Sequence, residues 1–169
     1  PEEWTAEARL FKNDWEIQGV VPSVLPNAGF LAAANIVGGD HDVVARVFID
    51  TEHAAQGFYV LRFFHDDPAS SDDWRVVLVD DRLPCGADGA PCFCRCPTDG
   101  VLWAPLIEKA LAKLLGCYEA TCHAGVEEGL VLLTGRITKE VDLSVAEHAP
   151  LLAPGAAGEA AAGLWQELA

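Results

Sequence analysis

Three cysteines alternate in the run CFCRC, at Cys92, Cys94 and Cys96. On a strand, a period of two would turn all three thiols to one face. Zinc sites favour C-x-x-C pairs and four ligands. C-x-C spacing with no placed fourth ligand therefore reads first as small apolar side chains packed in a core, with a metal-binding module as the competing reading. Cys85, Cys117 and Cys122 bring the cysteines to six. The histidines, His41, His53, His65, His123 and His148, are scattered, and none stands at ligand spacing. Cys122 and His123 are neighbours in sequence, which points their side chains apart in most conformations. A thiol–imidazole pair is recognised by contact in space. Asp80-Asp81 offers two carboxylates, but at a strand end before Leu83-Pro84 such a pair reads as turn and cap.

These residues need a folded chain to position them, and the composition allows one. The 169 residues are 51% hydrophobic, enough for one domain with a core. No apolar run reaches the roughly 20 residues that span a bilayer, and no basic-then-apolar start marks a signal peptide. The net charge of −15 disfavours nucleic acid and anionic lipid as partners. An even cysteine count permits a secreted disulfide framework, but the large apolar fraction fits reduced thiols in a cytoplasmic protein better. The chain starts at Pro1 and holds no Met, so it reads as a segment of a longer protein.

The elements follow from period and punctuation. Pro1 to Lys12 spaces Trp4, Ala8 and Phe11 as a short helix would. Asn13 to Pro26 reads as extended loop, and Gly29 to Val37 as an alanine-rich helix stopped by Gly38-Gly39. Asp40 to Phe48 reads as another short helix. The runs GFYVLRFFH (Gly57 to His65) and DWRVVLVDD (Asp73 to Asp81) predict an antiparallel hairpin. A third strand is expected at Pro91 to Cys96, giving a three-stranded meander. Val101 to Ala120 holds the clearest helical stripe, with Leu102, Leu106, Ala110 and Leu114 on one face and Gly116 as its stop. Gly125 to Thr138 predicts a helix ending at Gly135. From Ser144 to Ala169 the chain reads as an Ala/Gly/Pro-rich linker and the start of a further helix, leaving 1–143 as the domain. The fold class is α+β.

Several of these stretches together resemble the calpain protease core. GFYVLRFFHDD…DWRVVLVDDRLP is similar to the calpain hairpin that ends in D-D-x-L-P. LWAPLIEKALAKLLGCYEA resembles the family's F-W-x-x-L-L-E-K-A-Y-A-K-x-x-G-S-Y-E-A helix, and GVEEGLVLLTGRIT its S-E-x-x-x-x-L-T-G-G-V-T segment. The resemblance covers most of Asn13 to Thr138 and implies the first, helical half of a papain-like core with a small three-stranded antiparallel sheet.

The resemblance also gives meaning to VLPNAGFLAAA, Val24 to Ala34, a turn with Asn27 as plausible N-cap before a helix. Calpains place their nucleophile in Q-G-x-L-G-D-C-W-F-L at a helix start. Without gaps, Ala28 falls on the cysteine, Gly29 on the tryptophan and Pro22 on the glutamine that would help form the oxyanion hole. Gln18-Gly19 could take the glutamine's role only with a four-residue insertion. Two acidic calcium positions of the family fall on Gly19 and Val101, with Asp14 and Asp99 nearby in sequence. The resulting expectation is a pseudopeptidase: no catalytic residue, no metal, no cofactor, and a structural or protein-binding role. Degenerate family members often associate with cytoskeleton or flagellum, so the resemblance implies cytoskeletal or axonemal protein partners. The alternative is the first half of an active calpain-type peptidase whose nucleophile was changed to Ala28.

Overall fold

The computed structural model describes residues 9–11, 19–22, 24–65, 72–98 and 100–139. The chain divides into two units, Pro1–Arg136 and Ile137–Ala169. The elements below belong to the first. The expected N-terminal helix and the linker from Ser144 lie mainly or wholly outside the described residues.

Helix α1 runs Ala28–Gly38, α2 His41–Val47 and α3 Trp103–Leu115, with α4 at Val126–Thr134. The strands are β1 Phe48–Asp50, β2 Phe58–Phe64 and β3 Trp74–Asp80. Short 3-10 turns at Ala54–Gln56 and Glu119–His123 complete the order. Asp40 caps α2, its carboxylate accepting from the Asp42 and Val43 amides at 2.9 and 3.3 Å. Gly116 and Gly135 follow α3 and α4 with φ of 102° and 67°, the left-handed conformation that ends a helix at little cost for glycine.

The hairpin forms in one register, with Tyr59 opposite Val79, Leu61 opposite Val77 and Phe64 opposite Trp74. Alternation sends Tyr59, Leu61, Phe63, Val77 and Val79 into the core. The sheet is three-stranded and antiparallel in the order β1-β2-β3. The third strand is therefore Phe48–Asp50, and the expectation for Pro91 to Cys96 is corrected. That segment makes only isolated bridges, Cys85 with Pro91 and Arg95 with Val21. Two causes are visible. Pro91 has no N–H to give a ladder, and the Cys94 N–H is spent on Glu108 Oε2 at 2.8 Å. In addition, two outward carbonyls of β3 are occupied: Leu78 O accepts from Lys113 Nζ at 2.6 Å and Asp80 O from Lys109 Nζ at 2.9 Å. Lysines on α3 thus close an edge that would otherwise invite another strand.

Helix α3 is shorter than the stripe from Val101 to Ala120. Val101 bridges Arg9 in parallel, and the carbonyls of Arg9 and Leu10 accept the Leu102 and Trp103 N–H groups at 3.0 and 3.1 Å. A preceding chain segment therefore satisfies amides that a free helix start would leave open. Leu106, Ile107, Ala110 and Leu111 are buried, while Leu114 is half-buried.

Helix α1 packs chiefly on α4, and only lightly on α3. Small residues set the approach. A Cβ on Gly129 would stand 2.7 Å from Ala33 Cβ and 3.3 Å from Phe30 Cδ2. Gly129→Ala should gain up to about 1 kcal/mol of helix propensity and lose about 1–3 kcal/mol to overpacking. The expected outcome is a lower urea midpoint for the variant; a raised midpoint would mean that the two helices can part without loss.

Candidate functional site

The start of α1 is built by a turn whose polar side chain faces inward. Asn27 stands at the N-cap position with φ −101° and ψ 29°, but it makes no side-chain cap. The plausible capping role is thereby corrected. Its Nδ2 instead donates to Glu108 Oε1 at 2.6 Å and to Thr121 Oγ1 at 3.1 Å. Thr121 Oγ1 in turn donates to Tyr118 O at 2.7 Å. Asn27, Glu108 and Thr121 are all buried, with at most 1% exposure. The backbone carbonyl of Asn27 accepts the Leu31 N–H at 3.1 Å and so begins the helix ladder. The next residue, Ala28, is exposed and is the first residue of α1.

Glu108 is the acceptor that ties this site together. One carboxylate oxygen takes the Asn27 amide and the other takes the Cys94 N–H. Both carboxylate oxygens therefore meet a donor, which a buried charge requires. The same carboxylate affects its neighbours. Burial, with the Glu108 charge second, pushes the Cys94 thiol well above its ordinary range. Burial also pushes Cys96 up to about 11. Tyr118 is raised by burial and then by Glu108. Cys94 and Cys96 are thus protonated at neutral pH and behave as core side chains rather than nucleophiles. Cys92 is half-buried, and the three cysteines do not form one strand face. Among the described residues, no group of three His, Cys, Asp or Glu side chains gathers as a metal would need.

The other sequence-derived positions fall around the same turn. Gly29 is half-buried against the chain at Ala124 and Gly125. A Cβ there would meet Ala124 O and Gly125 Cα at 3.0 Å, so a tryptophan at this position requires the 124–125 segment to move. Pro22 is exposed, next to Val21, which exchanges backbone hydrogen bonds with Arg95 at 2.8 and 3.1 Å. Val101 is buried, and Gly19 lies with its α-carbon side toward Asn35. Gln18, Asp14 and Asp99 lie outside the described residues. Asp80 is ion-paired with Lys109 at 2.6 Å. Burial raises its carboxyl, but the Lys109 hydrogen bond, the Arg82 amide and the positive charges of both residues outweigh that, and the net shift is downward. His123 is exposed and Cys122 half-buried, on the turn that packs beside α1.

Sequence reasoning passed over Glu108 and Thr121. A signal for Glu108 was present. It shares its helical face with Ala104, Leu111 and Ala112, all buried. A carboxylate on an apolar stripe is a buried charge that needs named donors. Thr121 carried no such mark.

A family profile described as calpain family cysteine protease matches residues 1–168. Among curated relatives, the chain is 33% identical over 159 residues to the calpain-type cysteine protease DEK1 of Arabidopsis thaliana, covering 94% of this chain and 7% of that protein. It is 36% identical over 149 residues to calpain-10 of Mus musculus, covering 85% of this chain and 21% of that protein. Calpain-5 of Caenorhabditis elegans is 30% identical over 146 residues, 82% of this chain and 22% of that protein. The chain therefore spans a minor part of the length of these relatives. The expectation of a non-enzyme is corrected here. It rested on a few positions, chiefly Ala28, Pro22 and Gly29, whereas the match to cysteine proteases extends over nearly the whole chain. The structure also keeps the start of α1 open to solvent at Ala28.

The amide at position 27 has a testable consequence. Asn27→Asp would set a second buried carboxyl 2.6 Å from Glu108 Oε1. Two carboxylates so close share a proton, and one folded-state pKa rises well above its unfolded value of about 4. The variant's stability is then intact below about pH 4 and falls as pH rises, by at most about 1.4 kcal/mol per unit, until that raised pKa is passed. Urea midpoints from pH 4 to 8 should diverge increasingly from the unsubstituted chain; parallel curves would refute the direct Asn27–Glu108 contact.

Proposed function

The chain belongs to the calpain family of cysteine proteases, and from that premise we propose that it supplies the α1-bearing half of a papain-like core that acts on polypeptide within a longer protein. The observation that supports this reading is the placement of Ala28. It is the first helical residue, exposed, at the end of a turn held by the buried Asn27. Amides at a helix start carry partial positive charge, which stabilises an attacking thiolate and developing negative charge on a substrate. Ala28 itself carries a methyl group, so α1 does not present the thiol of the family's chemistry at this position.

Other residues of the chain hold this helix start in place. Asn27 ties the turn to Glu108, and α4 packs closely on α1 at Gly129. Polypeptide is the substrate class that the family chemistry addresses. Among the described residues, no helix is long and apolar enough to cross a membrane.

The test restores the thiol. Ala28→Cys should create a cysteine that iodoacetamide alkylates faster at pH 7 than it does the exposed Cys85. Joined to the second half of a calpain core, the variant should cleave unfolded casein at least about 100-fold faster than the same fusion with Ala28, because nucleophile replacements typically cost far more than that. A slow-reacting thiol together with no gain in cleavage would overturn the placement of the nucleophile at position 28.

A further inference from the structure

One buried carboxylate reaches both ends of the segment that carries the candidate site. Glu108 Oε1 accepts from Asn27, the residue before Ala28, at 2.6 Å. Glu108 Oε2 accepts from the Cys94 N–H at 2.8 Å. Arg95, the next residue, donates its N–H to Val21 O at 3.1 Å and accepts the Val21 N–H at 2.8 Å. Val21 is the residue before Pro22. Ala28 and Pro22, the positions that align with the family's nucleophile and oxyanion glutamine, therefore each follow a residue anchored, directly or through one backbone pair, to the same side chain.

We propose that Glu108 is a positioning residue for the catalytic end of this fold, holding the 21–22 and 27–28 segments at a fixed separation. The assignment rests on the reading of Ala28 and Pro22 given above. It does not involve contact between Glu108 and substrate, since Glu108 is 1% exposed. A carboxylate suits the task because both of its oxygens accept, and both partners here are N–H donors. A glutamine of the same shape would turn its amino group against one of them. Thr121 refines one arm only. Its hydroxyl accepts from Asn27 Nδ2 and donates to Tyr118 O, so it orients the Asn27 amide and leaves the Cys94 arm alone.

Hydrogen exchange in the unsubstituted chain and in Glu108→Gln reads both arms. The amides of Leu31, Val21 and Arg95 should exchange about 10-fold faster or more in the variant, the scale of losing a charge-assisted hydrogen bond. The amides of Leu61 and Val77 in the hairpin should not change. Thr121→Val, which keeps the carboxylate, should speed Leu31 alone, and it carries the test if Glu108→Gln does not fold. A second readout uses Ala28→Cys as background. Adding Glu108→Gln should lower the alkylation rate of the introduced thiol relative to Cys85, and Glu108→Ala should lower it further. Unchanged exchange at Leu31, Val21 and Arg95 overturns the proposal, as does Thr121→Val speeding Val21 and Arg95 equally with Leu31. Altered exchange with an introduced thiol no more reactive than Cys85 supports the two-armed anchor and instead removes the reading of position 28 as the nucleophile's place.

Discussion

Burying a carboxylate costs several kcal/mol unless donors replace the water it loses. Glu108 is buried to 1% exposure, and its donors come from two distant parts of the chain, the Asn27 side chain and the Cys94 backbone. That constraint organises the site. Helix α3 can settle only where both donors converge, so the turn before α1 and the 92–96 segment are drawn to the same helix face. The amide of Asn27 is oriented in consequence. Turning it over would bring Oδ1 against the carboxylate, although in its present orientation Oδ1 finds no partner. One unmet acceptor is a cost of about 1–3 kcal/mol, offset by one donor on the Glu108 charge and one on the Thr121 hydroxyl.

Close packing completes what the carboxylate begins. The start of α1 lies against the 124–125 backbone at Gly29, and its middle lies against α4 at Gly129. Glycine at both points lets the helix approach two neighbours that larger side chains would hold away. On the other side of α3, Lys109 and Lys113 bind carbonyls of β3 and join the helix to the hairpin. Helix α3 is thus polar in both of its long-range attachments, to the site through Glu108 and to the sheet through two lysines. Its apolar stripe of Leu106, Ile107, Ala110 and Leu111 supplies the burial that holds them together.

The parts of this structure legible in the sequence are those set by local rules. Helix α1, the Asp40-capped α2, the β2–β3 hairpin and the Gly135 stop of α4 all follow from period, capping and turn residues. Motifs in the hairpin and in α3 were enough to place the family. The third strand was not legible, because whether Pro91 to Cys96 or Phe48–Asp50 joins the sheet depends on where Glu108, Lys109 and Lys113 spend their hydrogen bonds. The inward turn of Asn27 was hidden for the same reason, since its partners lie 81 and 94 residues away. The inference of a non-enzyme failed differently. It weighed three positions at the start of α1 against a similarity to cysteine proteases that runs along nearly the whole chain.

The central claim is that the Asn27–Glu108 hydrogen bond is the energetic link between α3 and the start of α1. A double-mutant cycle on urea unfolding, with Asn27→Ala, Glu108→Ala and the pair, measures that link directly. Coupling of about 1.5–3 kcal/mol, the range for a hydrogen bond to a charged group, is the predicted result. Coupling within about 0.3 kcal/mol of zero, the scatter of independent sites, would contradict it.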